Sequence, residues 1–114
     1  MAEIGRGQVV SGGDVEGILC RADDVDQVFA LMKRPDLDEV ILLTSSASAT
    51  AVLPLLAKVR GVVSESGGVT SHIAIVAREF SLPCILSAEI EPGVEGRRVR
   101  LGEDGAIHGV DSES

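Results

Sequence analysis

The 114-residue sequence predicts one α/β domain, residues 1–114, with an added layer of β structure. Three observations carry this expectation. Through the middle of the chain, short aliphatic runs alternate with segments of helical spacing, the pattern of parallel strands joined by crossover helices. Both ends are rich in short β runs and glycine turns. Apolar residues make up 45% of the chain, with no Trp or Tyr and only two Phe, so the core must be built from Val, Ile, Leu and Ala.

The elements follow in order. Gln8–Val10 and Gly17–Cys20 read as β runs, either a hairpin or two strands joined by a turn at Gly12-Gly13-Asp14. Asp23 and Asp24 offer N-caps for a helix with Val25, Val28, Phe29 and Met32 at helical spacing, ending before Pro35. Glu39–Leu43 reads as a buried strand. Ala51–Val59 predicts a second helix, with Pro54 in its first turn, where a missing N–H costs little, and Gly61 as its stop. Val62–Ser64 is a further buried strand. After Gly67-Gly68, a helix is expected from about Ser71 to Phe80, with Ile73, Val76, Ala77 and Phe80 as one apolar stripe and Ile75 adding burial on another side. Pro83 opens the strand Cys84–Leu86. Arg98–Leu101 and Ala106–His108 predict a hairpin about Asp104-Gly105. The polar tail, 111–114, is expected to be loose. The sequence shows no internal repeat or low-complexity stretch.

Composition narrows the function. The net charge of −8 argues against a nucleic-acid or anionic-membrane partner, both of which need a basic surface. Cys20 and Cys84 lie far apart without a CxxC motif, so no metal site is expected from them. The first residues, with Glu3 and Arg6, lack the apolar core of a signal peptide, and no apolar run approaches membrane-spanning length. A cytoplasmic protein with reduced, buried thiols is expected.

The chemistry gathers at Val62-Val63-Ser64-Glu65-Ser66-Gly67-Gly68-Val69-Thr70-Ser71-His72. A buried strand runs into two glycines, two hydroxyl residues and a His entering a helix. In α/β sheets ligands bind beyond the carboxyl ends of the strands, and N–H groups at a helix start attract anions. Thr70 as N-cap would put His72 in the first turn. A neutral His there is a nucleophile, and once phosphorylated it carries negative charge beside the same N–H groups. Glu79 lies two turns away, and Arg78 points elsewhere, as a structural ion pair rather than a phosphate clamp. His108 has no motif around it and reads as a strand-end surface residue.

The stretch Gly67-Gly68-Val69-Thr70-Ser71-His72, continued through Ala77-Arg78-Glu79 to Pro83, resembles the phosphorylation signature of the PEP-utilising enzymes. That family includes pyruvate phosphate dikinase, phosphoenolpyruvate synthase and enzyme I of the sugar phosphotransferase system. The likeness spans nearly the whole chain: Gly7–Gly17 resembles the start of the family's mobile domain, Val40–Leu43 its central strand, and Arg98–Gly109 its closing hairpin. It implies the swivelling β/β/α three-layer fold, with a central, mostly parallel sheet. It implies His72 as phosphocarrier, Thr70 and Ser71 as groups that orient the ring or bind phosphate, and Gly67 and Gly68 as room for the donor. The nucleotide-binding ATP-grasp domain, the phosphoenolpyruvate- or acceptor-binding domain, and their Mg2+, ATP or phosphoenolpyruvate would be supplied by partners.

Three positions depart from the pattern. Ile73 stands where Ala, Ser or Thr usually follows the His, and its bulk is expected to crowd the approach. Ser87 stands where Gly commonly follows the Pro-led strand. Ser46-Ala47-Ser48 lacks a Thr-x-Pro. Two functions compete: a phosphocarrier working with separate subunits, and a docking or regulatory module that kept the fold and lost phosphotransfer. A self-sufficient small hydrolase or isomerase has little support, since no base or metal cluster accompanies His72.

Overall fold

In a computed structural model, which describes residues 2–46, 50–68 and 70–110, the run Val40-Ile41-Leu42-Leu43 sets the architecture. All four residues are fully buried, but alternate side chains enter different cores. Val40 and Leu42 join a cluster with helical residues. Ile41 and Leu43 join a cluster drawn from strands. Successive side chains of a strand point to opposite faces, so a strand covered on both sides needs an unbroken aliphatic run.

The elements are β1 (Ala2–Ser11), β2 (Val15–Arg21), α1 (Val25–Met32), a 3-10 turn at Leu37–Glu39, β3 (Val40–Thr44), a 3-10 helix at Thr50–Leu55, β4 (Gly61–Ser64), α2 (His72–Glu79), β5 (Cys84–Ile90), β6 (Arg98–Leu101) and β7 (Ala106–Gly109). The α/β expectation holds at this level: β2, β3, β4 and β5 pair in parallel, joined by helical crossovers. The expected hairpin also forms, with Arg100 opposite His108.

The three-layer arrangement does not form. The strands close into a barrel in the order β1-β5-β4-β3-β2-β6-β7, and β7 pairs back onto β1. The physical reason lies in β1. Its first half pairs with β7 and its second half with β5, and register shifts between Glu3 and Gly5, Arg6 and Gln8, and Val9 and Ser11 bend it between the two. The end strands are therefore one edge of the same sheet curled round, not a second layer. The strand-derived cluster has members on all seven strands and fills the barrel interior. The other cluster lies between the outside of the parallel strands and α1, the Thr50–Leu55 helix and α2.

Of the two arrangements expected at the start of the chain, the second forms: β1 and β2 are strands joined through Gly12-Gly13-Asp14 and do not pair with each other. Three local expectations need correction. The second helix is a 3-10 helix, not an α-helix over 51–59. Pro54 sits inside it, and the chain continues through three-residue turns from Leu56 N–H to the Leu53 carbonyl and Lys58 N–H to the Leu55 carbonyl. Gly61 opens β4 rather than closing a helix. On α1, Asp24 caps the helix as expected, but of the predicted face only Val28 is buried; Leu31 completes the contact, while Val25, Phe29 and Met32 are exposed. Cys20 and Cys84 are buried and not joined to each other. Burial pushes the Cys84 thiol up to about 12, with Arg78 pulling weakly the other way. Among the described residues, no helix is long and apolar enough to cross a membrane. The expected loose tail, 111–114, and residues 47 and 48 of the Ser46-Ala47-Ser48 departure lie outside the described residues.

Candidate functional site

Parallel strands place their carboxyl ends on one rim. β2 ends at Arg21, β3 at Thr44 and β4 at Ser64, and Arg21 pairs in register with Leu43 beside Thr44, which pairs with Ser64. Thr44 and Ser64 are fully buried polar residues, and both are satisfied. The Thr44 hydroxyl donates to Asp23 Oδ1 at 3.0 Å. The Ser64 hydroxyl donates to the Ser66 carbonyl at 2.8 Å.

Arg21 is the hub of this rim. Its guanidinium donates to Glu65 through two nitrogens (3.2 and 3.1 Å), to Asp23 (3.2 Å), to the Ser45 hydroxyl (2.9 Å) and to Glu95 (3.0 Å). These partners raise the guanidinium's pKa further, Glu65 foremost. For Asp23, burial alone would push the carboxyl up. Hydrogen bonds from the Ser45 N–H, Thr44, Arg21 and the Ser45 hydroxyl outweigh that and hold it below its ordinary 3.8. The loop that begins at Glu65 is thereby tied to β2 and β3. The Glu65 N–H also donates to the Thr44 carbonyl at 2.9 Å, and the Ser66 hydroxyl to the Ser45 carbonyl at 2.9 Å.

From this anchored base the chain passes Gly67, in the left-handed region at φ 101°, and Gly68 to the start of α2. The N-cap is Ser71, not Thr70. The Ser71 hydroxyl accepts from the Ala74 N–H at 3.3 Å and donates to the Gly68 carbonyl at 2.8 Å; the Ser71 N–H reaches the same carbonyl at 3.0 Å. The one-residue shift has a simple cause: Ser and Thr are near-equal caps, and only Ser71 closes the turn back onto Gly68. His72 becomes the first helical residue and is exposed. Its N–H and that of Ile73 are among those a helix cannot pair internally.

The expected site residues therefore sit together, with different duties. Gly67 and Gly68 form the turn, Ser71 is occupied as the cap, Thr70 is exposed, and His72 stands at the helix start; Val69 lies outside the described residues. Ile73 does not fill the space beside His72. It is fully buried in the helix-side core. His108 lies elsewhere, in an open concavity of about 540 Å³ lined by Asp14, Arg100, Gly102, Glu103 and Asp104. Sequence reading missed Arg21 and Ser87. A signal for Arg21 exists: Arg21, Asp23 and Glu65 each follow closely on a predicted buried strand. Ser87 gave none beyond its departure from the family pattern. Among the described residues, no group of three or more His, Cys, Asp or Glu side chains is arranged to hold a metal ion.

Residues 37–102 match the family described as PEP-utilising enzyme, mobile domain. This chain belongs to that family. It is 34% identical over 104 residues to the rifampicin phosphotransferase of Bacillus subtilis, covering 89% of this mobile domain and 11% of that protein. The rifampicin phosphotransferase of Streptomyces sviceus is 35% identical over 105 residues, covering 92% and 11%. The mobile domain thus spans about a tenth of these relatives. In fold it is similar to the holo-form of Thermococcus kodakaraensis aconitase X, with a TM-score of 0.64 at 15% identity, covering 93% of this chain and 97% of that one.

Proposed function

We propose that this mobile domain is a phosphocarrier: His72 accepts a phosphoryl group from ATP or phosphoenolpyruvate bound on a partner and passes it to an acceptor bound on another. The observation that carries the reading is the exposed His72 at the first position of α2, directly after a glycine turn braced on both sides. Exposure matters because a carrier must reach two partners. The brace matters because the turn must hold its shape at both.

In the transfer, the donor's P–O bond breaks with its electrons staying on the departing oxygen, a P–N bond forms at the imidazole nitrogen that holds the lone pair, and the proton on the other ring nitrogen is released. The phosphorylated ring brings negative charge to the first N–H groups of α2, which favour it. Ser71 fixes the helix start, Gly67 and Gly68 leave room for the donor, and Thr70 offers a hydroxyl at the surface. ATP-grasp and phosphoenolpyruvate- or acceptor-binding domains would supply the nucleotide or phosphoenolpyruvate, the acceptor and Mg2+. The small share of the phosphotransferase relatives that this domain matches agrees with a part that needs such partners. The rifampicin phosphotransferases carry phosphotransfer in their names, which favours a carrier over a silent docking module. The burial of Ile73 removes the crowding that had favoured the latter.

The test is direct. The domain is mixed with its cognate donor domain and 32P-labelled ATP or phosphoenolpyruvate. Acid-labile, base-stable label on His72 is expected, with complete loss in His72→Ala and none in His108→Ala. Failure to label His72 with any cognate donor would overturn the carrier reading.

A further inference from the structure

Ser87 carries an uncommon backbone for its residue type. Its φ is 52°, in the left-handed region that L side chains enter at a cost. It sits in a bulge of β5, where Leu86 faces Gln8 and Glu89 faces Arg6, so β5 advances three residues against two on β1. Gly7 lies opposite. A Cβ there would come within 2.6 Å of the Leu86 carbonyl, so β1 follows the bulge only with glycine at this point. A left-handed bulge position ordinarily goes to glycine. This chain keeps the geometry and places a hydroxyl on it. Ser87 Oγ donates to the Gly67 carbonyl at 2.6 Å, twenty residues away in the chain.

That bond decides which way a peptide faces. The Gly67 carbonyl and the Gly68 N–H belong to one planar trans unit and point in opposite directions. With the carbonyl drawn to Ser87 on β5, the Gly68 N–H faces away from that strand. A Cβ on Gly68 would meet no atom within 4 Å. The next carbonyl, that of Gly68, is held from the other side by Ser71. Resting on the carrier reading, we propose that Ser87 is a positioning residue: its hydroxyl locks the Gly67–Gly68 peptide so that the Gly68 N–H is a fixed donor for a phosphoryl group on His72.

The test needs a probe that reports on His72 without a partner. Phosphoramidate serves: its P–N bond breaks, a P–N bond to the imidazole forms, and ammonia leaves with the ring proton. The chain has two histidines, so the ratio of His72 to His108 labelling, read by 31P NMR or mass spectrometry, is an internal standard for reagent and protein concentration, while circular dichroism checks that each variant is folded. Ser87→Ala and Ser87→Gly should each lower the ratio about fivefold or more, the worth of one hydrogen bond. Ser87→Gly also relieves the backbone, so it should melt no lower than Ser87→Ala. Ser87→Asn, which tolerates the left-handed region and carries an N–H donor, should restore the ratio to within about twofold.

Wild-type ratios in both the Ala and Gly variants would overturn the role of Ser87. So would a fast Gly variant beside a slow Ala variant, because backbone relief alone would then set the rate. Either result, with wild-type His72 still labelled by its cognate donor domain, leaves the carrier reading standing. A wild-type domain that its donor never labels overturns both.

Discussion

Strands β2 to β5 run parallel to one another, and β3, at their centre, is core on both faces. Strand β6 runs antiparallel to both its neighbours and keeps its outer face in water. Leu42 and Arg100 make the contrast concrete. Both point away from the barrel interior. Leu42 meets the helices and is fully buried; Arg100 meets solvent and a paired Asp14 at 2.7 and 2.6 Å. The two histidines divide the same way. His72 follows the parallel half's carboxyl rim, among backbone donors and caps. His108 lies on the hairpin that closes the barrel, among Asp14, Arg100 and Asp104. A barrel of this kind assigns covering helices and polar crossovers to one half, so that half acquires a rim of loops. The other half acquires only exposed ion pairs.

The largest effect should come from breaking the parallel half. Leu42→Ala removes a fully buried side chain from a packed double core and should cost about 2–5 kcal/mol. Arg100→Ala, also outward-facing, should leave the urea midpoint nearly unchanged, since exposed ion pairs contribute little. Equal shifts in the two urea curves would mean that the halves do not differ as described.

Next is the rim itself. Arg21→Met keeps most of the apolar stem but strips Asp23, Glu65 and Glu95 of their cation. With Arg21 27% exposed, a loss of about 1–2 kcal/mol is expected after discounting for water. Because Glu65 starts the loop to His72, labelling of His72 should slow as well. A stability loss with an unchanged labelling rate would uncouple rim from loop.

The rim also has a pH signature. Asp23 and Glu95 hold folded-state pKa values below their ordinary 3.8 and 4.5. Depressed carboxyls bind fewer protons folded than unfolded, so stability rises with pH across that window. Their contribution is fully present above about pH 5 and fades as the pH falls through and below those values. Backbone N–H groups lower both carboxyls first and Arg21 adds to them, so the acid limb of the wild-type stability curve should be somewhat steeper than that of Arg21→Met; parallel limbs would show that Arg21 adds nothing to these shifts.

How much of this was legible in the sequence follows from the same contrast. The continuous runs Val40–Leu43 and Val62-Val63, short and set between turn and helix signals, read best as strands buried on both faces, so the parallel half was readable. The closure was not. Nothing local in Ala2–Ser11 says that one strand will serve two neighbours, because long-range pairing is decided by bulges and by Gly7 under β5 rather than by periodicity. At the site, glycines, hydroxyls and His72 were legible as a cluster, while the choice of Ser71 over Thr70 as cap depended on reach to Gly68. Arg21, Glu65 and Glu95 are separated by up to 74 residues and meet only once the strand order is fixed.

The smallest effect sharpens what periodicity can say about a helix that covers the parallel half. Spacing put Val25, Val28, Phe29 and Met32 on one stripe of α1. The fold buries Val28 and Leu31 and leaves Phe29 58% exposed. α1 is only eight residues long, so two apolar stripes a few residues apart compete, and the choice falls to whichever meets Val52 and Leu55 of the neighbouring 3-10 helix. Val28→Ala should therefore cost about 2 kcal/mol and Phe29→Ala within about 0.5, although the latter deletes the larger side chain. Urea melts of the two variants decide it. A Phe29→Ala cost matching that of Val28→Ala would mean that the predicted stripe, rather than the Val28–Leu31 face, packs against the barrel in solution.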